Sequence, residues 1–200
     1  YNDFYYLTGT EVPHSYLVIA GGSGGSSLFL EALDERTERS EGPMLSLADG
    51  DLIRTLTGVE NIHAREELEE VCQAAARVFI PNEFQESRQA CQDTLRHSLD
   101  SQREDPFDQS ITRQQMVINQ LVDDPNKLGS VEAVLRGMRL IKDSEEINWM
   151  VEAGAVTAAA INLAMQATKP GIYEYQLGAI ADGMFLSAGA SGSGYRPIIA

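Results

Sequence analysis

A handful of residues in this 200-residue chain have types and spacings that invite a chemical reading. His14, His63 and His97 stand far apart, and none has a second histidine at the i, i+4 separation that places two imidazoles on one helix face for zinc. They read as surface or capping residues. Gly21-Gly22-Ser23-Gly24-Gly25 offers amides that could wrap an anion at a helix start. No Gly-Lys-Ser/Thr follows it, however, and Leu28-Phe29-Leu30 is strand-like, so the run reads as a hairpin tip. Asp49-Gly50-Asp51 presents oxygens to a hard cation but lacks the other ligands such a site needs; it reads as a turn or a helix cap. Ser191-Gly192-Ser193-Gly194 has no strand before it, as a nucleophile elbow would, and reads as a flexible loop. Cys72 and Cys91 are too few and too far apart for a disulfide framework or a thiolate zinc site, which leaves reduced, buried thiols. The clustered carboxylates are adjacent pairs and surface runs, so no metal ligand and no catalytic residue is assigned within the chain.

Tyr195 is the exception. It follows a glycine-rich segment and opens the strand-like text Tyr195-Arg196-Pro197-Ile198-Ile199-Ala200, a setting that fits either a packed aromatic or a hydroxyl turned into a cleft as a donor to a ligand carboxylate or a substrate carbonyl.

The elements that position these residues fall into two blocks. In the first, aromatic strand-like text at the start of the chain is followed by two apolar runs, Ser15 to Ala20 and Ser27 to Leu30, joined as a hairpin. A polar stretch from Glu35 to Gly50 leads to a helix near His63 to Ala76, with Ala64, Leu68, Val71, Cys72 and Ala75 on one face. A strand at Arg77 to Ile80, a helix near Ser87 to Leu99, a charged loop around Pro106, a helix near Thr112 to Leu121 and a turn at Asp123 to Asn126 complete the block. Alternating strands and helices predict an α/β layer. The second block begins near Ser130. Asp143 and Glu146 have the spacing of a capping box, and Ile147, Met150, Val151, Gly154, Ala158, Ile161 and Met165 form a stripe predicted to face a core. Small residues from Ala153 to Ala160 allow a neighbour to approach closely. Pro170-Gly171 ends that helix, and another is predicted from Glu174 to Ser187, broken at Gly189.

Met138-Arg139, Lys142, Glu146-Ile147, an Ala-rich run, then Pro170-Gly171 and Glu174 follow the order M-R-hydrophobic-hydrophobic-K-S-x-x-E-I … P-G-x-x-E. That pattern resembles the opening of the catalytic domain in the Xaa-Pro aminopeptidase and prolidase family, the creatinase-like "pita-bread" metallopeptidases, with Asp143 in the usual serine position. Phe4 to Pro13 resembles the same family's amino-terminal domain. The resemblance implies an α/β class: a creatinase-type amino-terminal domain over 1–125, then the first helices of a pita-bread α+β domain over 130–200. It implies a fragment, inactive alone, of a metal-dependent exopeptidase that removes the N-terminal residue preceding proline. A dipeptidase of the prolidase type or a non-catalytic peptide-binding module are the alternatives. Two divalent ions, manganese above all, are implied for the whole protein, with ligands beyond Ala200 and none bound by this chain. Tyr195 then stands at a step where relatives carry a tyrosine beside the metal-binding aspartate.

Composition narrows the partners. Thirty acidic against 15 basic residues give a net charge of -15, which repels a phosphate backbone, so nucleic acid is not expected. No apolar run approaches the roughly 20 residues of a membrane span. The expected partners are peptides with proline at the second position and further copies of the whole protein, and the expected location is the cytoplasm.

Overall fold

The computed structural model describes residues 2–22, 24–32, 34–81, 104–105, 107, 113–194 and 198–199. These fall into two units, one drawn from 1–82 and 114–132, the other from 83–113 and 133–200.

In the first unit, strand periodicity creates two apolar faces on one sheet. β1 (Tyr16–Ile19) and β2 (Ser26–Leu30) pair antiparallel through the glycine-rich tip, as the sequence predicts, and β3 (Asn61–Ala64) adds to β2 in parallel. The register sets Leu17, Leu28 and Ile62 in one cross-strand row and Tyr16, Phe29 and His63 in the next. Successive side chains point to opposite faces, so the rows serve different cores. Leu28 and Leu30 gather Phe4 of α1 (Asn2–Thr8) and Ile53 of α3 (Gly50–Thr57), with Val59. On the other side Phe29, 1% exposed, packs with Leu68 and Cys72 of α4 (Leu68–Ala74) and with Leu121 of α5 (Arg113–Leu121). The result is a sheet covered by helices on both faces, the α/β layer expected. β4 (Val78–Ile80) pairs in parallel with β5 (Leu128–Ser130), and Lys127 Nζ donates to Gln73 O at 3.1 Å and to Asp123 Oδ1 at 2.9 Å, tying the end of α4 to the start of β5.

Four expectations for this unit need correction. The aromatic text at its start forms α1 rather than a strand: Thr8 Oγ1 donates back to Phe4 O at 2.8 Å, and Gly9, at φ +66°, closes the turn by donating its N–H to Tyr5 O at 2.7 Å. Docking of Phe4 against the sheet outweighs the β preference of its neighbours. The polar stretch 35–50 holds a helix, α2 (Glu35–Glu41), capped by Asp34, and a 3-10 turn at Leu47–Asp49 that opens into α3, where Leu52, Ile53 and Leu56 before Gly58 were a helical signal left unread. The helix predicted from His63 begins only at Leu68, because Ile62 and His63 are claimed by the ladder with β2 and the ring of His63 stacks on Phe29 at 5.1 Å. Strand β5 follows the Asp123 to Asn126 turn unannounced, at three residues too short for a periodicity. The helix predicted at Ser87 to Leu99 lies outside the described residues.

In the second unit, α6 (Glu132–Leu140) precedes a long helix, α7 (Ser144–Ala167), and α8 (Glu174–Ser187) packs against α7. Both long helices have the predicted ends. Within this chain the stripe assigned to a core is exposed: Met150, Val151 and Met165 are 58%, 66% and 67% exposed, and Ile147 and Ile161 are also exposed. It is the small-residue face, with Ala160 buried and Val156, Ala159, Ala164 and Ala167 half-buried, that lies toward α8. Short side chains let two helix axes come close, as expected of the small residues from Ala153 to Ala160.

Candidate functional site

The motif that carries the family resemblance builds a corner. Lys142 Nζ donates to Arg139 O at 2.6 Å and to Leu140 O at 3.4 Å, so its charge meets the carbonyl end of α6. Asp143 then starts α7. Its Oδ1 accepts from the N–H groups of Glu145 and Glu146, both at 2.9 Å, while its own N–H donates to Glu146 Oε2 at 3.0 Å. This is the predicted capping box, and aspartate in the usual serine position performs it with an added negative charge at the positive end of the helix dipole. Past α7, Gly171 (φ +90°) turns the chain, and Tyr173 N–H donates to Gln176 Oε1 at 3.0 Å to open α8. The motif therefore sets where α7 and α8 begin; among the described residues none of its side chains forms a reactive cluster.

Beyond α8 the chain reverses. Ala190 N–H donates to Phe185 O at 3.0 Å with Gly189 at φ +88°, a conformation that glycine adopts without strain. Ser193 Oγ then donates to Asp182 Oδ1 at 3.2 Å. Further on, the Ile199 side chain lies over Gly178, its Cδ1 only 3.2 Å from where a β-carbon would sit. Tyr195 itself lies outside the described residues, as do His97 and Cys91. Sequence reasoning missed the Asp182–Ser193 pair; the available signal was a lone carboxylate inside the apolar text Leu177 to Phe185.

The other sequence candidates are dispersed. His63 is half-buried, with Nδ1 3.3 Å from Glu67 Oε2. His14 sits in a turn at φ +55°. Asp49 serves the local structure as expected, its Oδ2 accepting from Ser46 N–H at 2.9 Å and Ser46 Oγ at 3.1 Å. Burial pushes the Cys72 thiol up from its ordinary range, which disfavours the nucleophilic thiolate. Among the described residues no three His, Cys, Asp or Glu side chains converge as a metal site would require, and no helix is long and apolar enough to cross a membrane.

Known proteins supply the missing context. Residues 1–78 match the family model for the aminopeptidase P N-terminal domain. Mouse (Mus musculus) Xaa-Pro aminopeptidase 3 is 29% identical over 208 residues, covering all of this chain and 37% of that protein. Proline aminopeptidase P II from Yersinia pestis superposes with a TM-score of 0.64 at 23% identity, over 94% of this chain and 41% of that one. Zn-substituted E. coli aminopeptidase P in complex with product does so with a TM-score of 0.63 at 23% identity, over 94% and 40%. The chain thus spans less than half the length of the relatives it matches. The α/β fold agrees with these structures, residues 1–78 are similar to the aminopeptidase P N-terminal domain, and the chain as a whole is similar to a part of Xaa-Pro aminopeptidase 3.

Proposed function

We propose that the whole protein to which this sequence contributes is a metal-dependent exopeptidase that removes an N-terminal residue preceding proline. The observation that carries the reading is the match of this entire chain to Xaa-Pro aminopeptidase 3 from mouse, rat (Rattus norvegicus) and human (Homo sapiens). On this reading residues 1–125 form the amino-terminal domain, 130–200 open the catalytic one, and the protein works in the cytoplasm as a homo-oligomer. Two divalent ions, manganese first among them, would supply Lewis acidity and an activated water. The described residues do not fit such a pair, having no convergent ligands, so no step is derived through it.

What this chain contributes is positioning and one donor. The capped corner at Lys142 to Glu146 orients α7, the Pro170-Gly171 turn orients α8, and the segment after α8 delivers the Tyr195 hydroxyl to a carboxylate or to the substrate carbonyl. A phenol gives one O–H donor on a rigid ring, and fixing such a donor where charge develops lowers the barrier more than it tightens substrate binding.

The test is hydrolysis by the whole protein, supplied with Mn²⁺, of Xaa-Pro tripeptides against Xaa-Pro dipeptides and against peptides without proline at the second position. Release of the first residue from the tripeptides supports the assignment. Turnover of dipeptides alone would replace it with a prolidase, and peptide binding without turnover would replace it with a binding module.

A further inference from the structure

We draw no further inference here: the strongest candidate, the apolar stripe along one face of α7 from Ile147 to Met165, is exposed within this chain, and nothing among the described residues shows what covers it.

Discussion

Replacing Phe29 by alanine should nearly unfold the first unit, whereas the same change at Phe79 should be mild. Both are strand phenylalanines, so their β propensities cancel in the comparison. Phe29 is 1% exposed, packed by Leu68 and Cys72 and stacked on His63, while Phe79 is 53% exposed with Arg77 over its ring at 5.0 Å. A phenylalanine buries upward of about 150 Å² of apolar surface, and at about 25 cal/mol per Å² this represents roughly 4 kcal/mol. The cavity left beneath the central strand keeps the estimate within the roughly 3–5 kcal/mol typical of Phe→Ala in a core. Set against the roughly 5–15 kcal/mol of a whole domain, that is a large share. At Phe79 half the surface is already in water, and a partly exposed cation–π contact adds only about 0.5–1 kcal/mol, so a cost near 1–2 kcal/mol is expected. Urea titration of the whole protein, followed by the far-ultraviolet circular dichroism of its first transition, measures both. Equal costs for the two variants, or a Phe29→Ala cost below about 1 kcal/mol, would refute the two-faced sheet and its register.

Other outcomes are equally specific. Asp143→Ala removes both accepting bonds at the head of α7 and should cost about 1 kcal/mol in urea titration, with Asp143→Ser recovering most of it. Tyr195→Phe should leave the melting temperature in place and lower kcat/KM on an Xaa-Pro peptide by roughly 10 to 100-fold; a fall in melting temperature matching the activity loss would mark a packing role instead. Lys127 beside Asp123 holds that carboxyl below the ordinary aspartate value. Because the folded value is the lower one, the contribution is present above the unfolded value and is lost as pH falls through the folded one. Acid titration should therefore loosen the β4–β5 junction before the β1–β2 hairpin, in an order that Asp123→Asn abolishes.

Legibility in the sequence followed how locally each feature is determined. The hairpin, the capping box and the boundaries of α7 and α8 are written in residues near one another, so glycine tips, Asp143 with Glu146, and Pro170-Gly171 could be read directly. Features set by distant partners could not. Asn61-Ile62-His63-Ala64 becomes a strand because β2 lies beside it, and α1 becomes a helix because Phe4 has a core to enter. On α7 the small residues from Ala153 to Ala160 marked where a neighbour approaches, while the stripe from Ile147 to Met165 is exposed within this chain. At the candidate site, Asp182 and Ser193 are separated by a chain reversal that two glycines permit, and no spacing rule pairs them.

The parallel pairing of β4 with β5 also bears on how the chain folds and how its length can change. Val78 meets Leu128 and Ile80 meets Ser130, so residues 81–127 depart from the ladder and return to it. Hairpin β1–β2 and the α7–α8 pair close over short stretches and should form early, leaving the β4–β5 ladder among the last contacts to be made. The three cross-strand pairs depend on residues 78–80 and 128–130 alone, so the ladder itself sets no length for the sequence between them.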